Sequence, residues 1–306
     1  MRPLKIQLIH PGRQKPFRLG KGYIKLPDGQ IIREWGNDKI ENSKPNDKPK
    51  YHHYRKFIEN KGIYVTALNV KPKEAELLFW GEWEGNSLFR ELPYNDDNRL
   101  PNGIHKPFHS MLNKGGQNTD PYVFQDYFKY AVCMQKGMLT RLPSLSLILF
   151  GTAYNKLNAF YLDTIFVVGD YETAQQVSAT SASAYSQTYQ ESTLKQLDEY
   201  GHNPSAEIKL YRGRTWWDDN KYFSFVPCKA SKNSGFERFR IDLSDSDFSL
   251  AGNTQGYSYM PKCNLSPQEL WNKIAQKCFK DGFALGIQFQ EPILNDTYLR
   301  FLSQKK

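Results

Sequence analysis

The sequence predicts an α+β fold: a mainly antiparallel, β-rich, barrel-like core with an α+β part appended towards the C-terminus. Three observations carry this reading. Short runs of β-branched and aromatic residues recur along the chain, bounded by Gly, Pro, Asn and Asp. Two of them, 144–151 and 159–169, are joined by a short polar link, the spacing of an antiparallel pair. One segment near the C-terminus carries a full set of helix start and stop signals.

Taken in order, residues 4–9 predict a first strand, and residues 20–35 a hairpin turning at Pro27-Asp28-Gly29, where Asp-Gly supplies the positive φ of a tight turn. Residues 36–56 are polar, and Pro45 and Pro49 oppose regular structure. They predict an exposed loop that ends in the basic and aromatic run Tyr51 to Lys56. A strand follows at 62–70, and another from Leu77 to Glu84, in which Gly81 signals a bulge or a close backbone approach. Residues 86–116, rich in Asn, Pro and Gly, predict a long irregular stretch. Asn118-Thr119-Asp120-Pro121 reads either as a turn or as the capped start of a helix, and the run from Phe124 to Val132 fits either a helical stripe or an aromatic strand.

The polar, Ala- and Ser-rich stretch at 172–197 supplies the best boundary. It gives a β-rich core domain at 1–172, a polar helical connection at 173–206, and an α+β part at 207–306 that can belong to the same domain. In that last part, strands are expected at 207–212 and 222–226. The helix runs from Pro267 to Asp281, with Ser266 as cap, Pro267 at its first position, Glu269 closing the capping box and Gly282 stopping it. Leu270, Ile274 and Cys278 share one helical face, which makes Cys278 a core thiol. Residues 283–290 then alternate as a final strand.

Net charge is +9, from 41 Lys and Arg against 32 acids, and aromatic residues reach 14%. Cationic side chains draw phosphate through counterion release, and flat rings offer stacking surface to unpaired bases. The same composition also describes a basic protein with an aromatic core. No apolar run approaches the roughly 18 residues of a membrane-spanning helix, and residues 1–9 lack the apolar centre of a secretory signal. Cys133, Cys228, Cys263 and Cys278 show no close pairing, so neither a disulfide framework nor a zinc ribbon is expected. The expectation is a cytoplasmic protein with no membrane partner, no cofactor and no metal.

Three sets interleave rings with cationic groups: Tyr51 to Lys56, Arg212 with Arg214-Thr215-Trp216-Trp217, and Phe236 to Arg240. From them the expected nucleic-acid contacts are Arg55, Lys56, Arg212 and Arg214 for phosphate. Trp80, Trp83, Trp216 and Trp217 are the expected rings for bases. In Phe236 to Arg240 the alternation also fits a strand with rings inward and charges solvated. Glu82 and Glu84, two apart beside tryptophans, form either a carboxylate pair for acid–base work or exposed acids on a sheet surface. His105 and His109, with Asp120 and Cys133 downstream, have the residue types of a metal site or a thiol–imidazole pair, yet Pro107 opposes the helix that zinc spacing needs.

Tyr211-Arg212-Gly213, Phe223-Ser224 and Gln290-Glu291 resemble the arginine–serine–glutamate order of ADP-ribosyltransferases. That likeness implies Arg212 for dinucleotide phosphates, Ser224 for the ribose and Glu291 for an oxocarbenium-like state. Gly81-Glu82-Trp83-Glu84, Asn118 to Pro121, Ser146 to Gly151, Leu162-Asp163-Thr164 and Ser224 to Cys228 resemble landmarks of an uncharacterised prokaryotic family, which brings no activity with it. Residues 144–169 are similar to the strand pair of PUA-like barrels such as the ASCH and EVE domains, which bind RNA or modified bases. The leading expectation is a nucleic-acid or nucleotide binding module, a subunit of a larger assembly. The alternatives are an enzyme acting on nucleotides or nucleic acids, with catalytic candidates Glu82 and Glu84 or Arg212 and Glu291, and a protein-binding scaffold.

Overall fold

The computed structural model describes residues 2–9, 14, 23–33, 55–93, 100–109, 119–132, 137–154, 157–174, 184–194, 197, 208–231, 237–253, 256–260, 262–296, 300 and 303–304. The fold is α+β, β-rich and barrel-like, as the sequence predicts, and its pairings are mostly antiparallel. One sheet has seven strands. β1 (Lys5–Ile9) lies between β14 (Gly256–Tyr259) and β9 (Leu147–Tyr154). β10 (Ala159–Ala174), β11 (Ile208–Gly213) and β8 (Lys129–Val132) continue that order, and β13 (Arg240–Asp242) adds to β10.

The other sheet has eight. β4 (Arg55–Val65) and β5 (Lys73–Glu82) form its long central hairpin. β12 (Val226–Ala230) pairs with β5, β15 (Ala284–Phe289) pairs with β12, and β15 also pairs with β4. These four strands therefore close a ring. On the open side of β4 come β7 (Gly103–Pro107), β6 (Ser87–Glu91), β3 (Ile31–Arg33) and β2 (Tyr23–Lys25).

Closure of so small a ring demands close backbone approach, and glycine provides it. A Cβ on Gly62 would sit 2.6 Å from the Gln288 carbonyl and 2.9 Å from a Leu77 methyl. Two large apolar clusters fill the space around the sheets. One runs from Phe79, Trp83 and Phe124 to Phe150 and Phe166; the other joins Leu149 and Phe160 to the buried face of helix α1 (Pro267–Lys280). That helix carries the expected capping box at Ser266 and Glu269, and Leu270, Ile274 and Cys278 are buried together. The hairpin at Pro27 to Gly29 is also present, with Gly29 at φ +86°.

Other elements differ from the sequence reading for identifiable reasons. Gly81 is no bulge: the β4–β5 register runs without a shift from Arg55 opposite Glu82 to Tyr64 opposite Lys73. The stretch at 86–116 contains the paired strands β6 and β7, which alternating Ser87, Phe89, His105 and Pro107 bury on one side. The Phe124 to Val132 run resolves as a turn at 125–127 followed by strand β8 rather than a helix. Strands β11 to β15, all within 207–306, take places in both sheets beside strands of the first 172 residues. Most of the connection expected at 173–206 lies outside the described residues; its described part includes a short helical segment at Gln187–Leu194.

Candidate nucleic-acid interface

The sequence candidates divide between two places, one interior and one at the surface. Arg55, Lys56, Trp80, Glu82, Trp83 and Glu84 come together around the β4–β5 hairpin, and all six are buried. Burial does not suit Arg55, Lys56, Trp80 and Trp83 as nucleic-acid contacts, and it corrects the reading of Glu82 and Glu84 as solvated surface acids. Trp80 packs edge-on against Phe57, with ring centroids 5.0 Å apart, and Trp83 against Phe124. The Trp83 indole donates to the Asn86 carbonyl at 2.8 Å, and the Lys56 ammonium donates to the Trp83 carbonyl. Tyr51 to Tyr54, the rest of that basic-aromatic set, lie outside the described residues, as do Phe236 and Cys133.

Arg55 is drawn inward by charge. Its guanidinium reaches Asp163 at 2.7 Å and Glu82 at 3.4 Å, and Glu82 also accepts the Asp120 amide at 3.1 Å. Asp163 lies where the β9–β10 register shifts, between Leu162 opposite Gly151 and Thr164 opposite Phe150. An extra residue in one strand re-aims its side chain, and here it delivers a carboxylate to the core. Arg238 meets the other Asp163 oxygen at 3.4 Å and lies over the rings of Trp80, 4.1 Å from its centroid, and Tyr161, at 4.5 Å. That stack buries Arg238, where strand alternation would have solvated it. Burial pushes the Asp163 carboxyl above the ordinary carboxylate range, against the pull of Arg55 and Arg238. Among the described residues the buried charges balance: Arg55, Lys56, Lys129 and Arg238 against Glu82, Glu84, Asp120 and Asp163.

Glu82 is committed to Arg55 and the Asp120 amide, and the neighbouring cleft is lined by Trp80, Arg238, Leu162 and Phe283 rather than by Glu82 or Glu84. That cleft holds about 10 Å³, the room of one water.

Arg212, Arg214, Trp216 and Trp217 stand at the surface. Gly213 decides their direction, because a Cβ there would lie 2.9 Å from Ser224 Oγ and 3.1 Å from the Phe128 Cβ. Gly213 therefore faces the core, and strand alternation turns Arg212 and Arg214 outward. The backbone between them is held firmly. Arg214 donates its amide to the Val167 carbonyl at 2.7 Å, and its carbonyl accepts the Ser224 amide at 2.8 Å. Thr215 then opens a tight turn: its amide and hydroxyl donate to Asp218 Oδ2 at 2.8 and 2.9 Å. On that turn Trp217 is 52% exposed, with half-buried Trp216 edge-on beside it at 5.9 Å.

The two arginines already have acidic neighbours. Arg212 lies 3.8 Å from Asp218, and Arg214 lies 3.2 Å from Asp219. Partial burial pushes the Asp218 carboxyl up, but the Thr215 amide and hydroxyl and both guanidinium groups outweigh it and hold the carboxyl below its ordinary range.

Arg212 also lies over the Tyr127 ring, 4.9 Å from its centroid, and there it meets a cluster that sequence reasoning missed. The Lys129 ammonium is 4.3 Å from the Tyr127 ring and 5.3 Å from those of Tyr122 and Tyr189, and donates to Gln125 at 2.8 Å. The Tyr122 hydroxyl donates to Glu291 Oε1 at 2.7 Å, and the same oxygen accepts the Ser186 hydroxyl. Arg212 and Glu291 thus border one tyrosine-rich cluster. Ser224 is absent from it, since its hydroxyl binds the Val167 amide at 2.9 Å and joins strands. The overlooked signal is the alternation Tyr122, Phe124 and Tyr127-x-Lys129.

The histidines are engaged elsewhere. His105 Nδ1 lies 2.7 Å from the Ser87 hydroxyl, and His109 pairs by its backbone with 293–295. No group of three or more His, Cys, Asp or Glu residues able to hold a metal is found among the described residues. No family model matches the chain, and neither a curated protein nor a solved structure matches it.

Proposed function

We propose that this chain is a binding module for nucleic acid or nucleotides, and that the Arg212–Trp217 turn is its contact surface. One observation carries the reading: a half-exposed indole stands beside two outward-facing guanidinium groups on a backbone pinned from both sides. Stacking of an unpaired base on such a ring is worth about 1–3 kcal/mol. Each arginine offers a planar fork to phosphate oxygens. The overall charge of +9 draws a polyanion towards the surface from a distance. Four of the eight contacts expected from sequence remain in this reading: Arg212, Arg214, Trp216 and Trp217. A prokaryotic cytoplasmic setting within a larger assembly is part of this proposal. Among the described residues no helix is long and apolar enough to cross a membrane.

The test is a titration of labelled single-stranded RNA and DNA by fluorescence anisotropy, begun at low salt and repeated as salt rises. The proposal expects saturable binding that weakens steeply, with the logarithm of affinity falling by about 0.7 per phosphate contact for each tenfold rise in salt. Absence of binding to either strand at low salt rejects it.

A second reading rests on the shared cluster of Arg212 and Glu291: an enzyme acting on a nucleotide, with Glu291 aligned by Tyr122 and Ser186. It expects turnover of a nucleotide that disappears in Glu291→Gln while binding persists. Turnover unchanged in that variant rejects it.

A further inference from the structure

Asp218 closes the turn through Thr215, but neither it nor Asp219 beside it has a part in ligand binding so far, and their placement is specific. Asp218 and Asp219 follow the exposed tryptophan directly, and each lies against one of the two outward arginines. Arg212 and Arg214 are two residues apart along one extended segment, so their Cα atoms are separated by about 6.6 Å, the scale of one step along a stretched nucleotide strand. Arg212 approaches Asp218 to 3.8 Å and Arg214 approaches Asp219 to 3.2 Å. Both pairs are partly open to solvent, and ion pairs of this kind are weak and exchangeable.

From this we infer that Asp218 and Asp219 are resident stand-ins for two consecutive phosphates, and that the turn therefore selects a single-stranded segment with at least two successive phosphates over a mononucleotide. The inference rests on the nucleic-acid reading of the same turn. A lone phosphate that displaces one carboxylate exchanges one surface ion pair for another and gains little. When two phosphates share a backbone, the second exchange is intramolecular, and its effective concentration makes displacement of both carboxylates favourable. Trp217 then adds stacking for the attached base. The carboxylates thus raise the threshold for short ligands while leaving longer strands able to bind.

The experiment compares a nucleoside monophosphate, a 5′-phosphorylated dinucleotide and a longer single strand, each titrated against the full chain and against Asp219→Asn. The asparagine keeps the oxygen that accepts the Lys221 amide, so the turn is conserved. Asp247→Asn serves as control: it removes the same charge from a carboxylate paired with Lys273, away from the turn. Unfolding temperature verifies that both variants fold. The inference expects affinity to rise by at least about tenfold between one and two phosphates in the parent chain. In Asp219→Asn the monophosphate should bind several-fold more tightly and that step should shrink, with Asp247→Asn unchanged. If strands bind but the step is absent, or if both variants behave alike, the inference fails and the nucleic-acid reading survives. If no strand binds at low salt, both fail together.

Discussion

At the scale of single residues, residue type was legible and residue exposure was not. Trp80 and Trp217 look equivalent in sequence, each beside charged neighbours, yet one packs on Phe57 under Arg238 and the other projects from a turn. Arg55 and Arg238 read as solvated cations because nothing near them in the chain announces their counter-charge. That counter-charge is Asp163, over 70 residues from either, aimed inward by a register shift visible only in the paired strands. Glu82 was noticed for its neighbour Glu84, whereas its partners are Arg55 and the Asp120 amide. The account makes a firm demand on Asp163. Replacing it with alanine leaves two buried guanidinium groups without their shared carboxylate, and should cost roughly 3–5 kcal/mol in chemical denaturation. A loss below about 1 kcal/mol, the range of exposed pairs, would show that water reaches this network.

Elements were read more faithfully where local chemistry alone decides them. The helix at Pro267 was fully signalled because cap, first-turn proline, capping-box glutamate and stop lie within 17 residues of one another. The hairpin at Asp28-Gly29 was signalled for the same reason. The Phe124 to Val132 run was not, since its strand character depends on pairing with β11, far along the chain. Two predictions belong here. Ser266→Ala should destabilise the protein by about 1 kcal/mol in thermal or chemical unfolding. The Ser266 hydroxyl and amide hold Glu269 below its ordinary pKa, so its contribution is present above that ordinary value and is lost as pH falls through the lowered one. The alanine variant should accordingly show a weaker loss of stability between mildly and strongly acidic pH. Gly62→Ala should cost roughly 1–3 kcal/mol, because its methyl would meet the Gln288 carbonyl where the four-stranded ring closes. A neutral Gly62→Ala result would mean that the ring relaxes open.

For the whole molecule, composition indicated the fold class and left the arrangement undetermined. Alternating short strands implied a barrel-like core, but their order in space is set by pairings that span most of the chain. β15 closes against β4, and β13 adds to β10. A fragment ending at residue 206 lacks β11 to β15 and leaves the ring without two of its four strands. It should show no cooperative unfolding transition by circular dichroism, and a sharp transition would contradict the shared-sheet architecture. The candidate surface depends on the same long-range order, because Arg214 is held between Val167 of β10 and Ser224, and Arg212 stacks on Tyr127 from the turn before β8. The central claim is that phosphate and base are read separately on this one turn. The most direct measurement is the salt dependence of single-strand affinity for the parent chain, Trp217→Ala and Arg214→Gln. The account predicts that Trp217→Ala binds about 5- to 100-fold more weakly with the same slope, while Arg214→Gln flattens the slope by about 0.7. Three superimposable salt curves would contradict it.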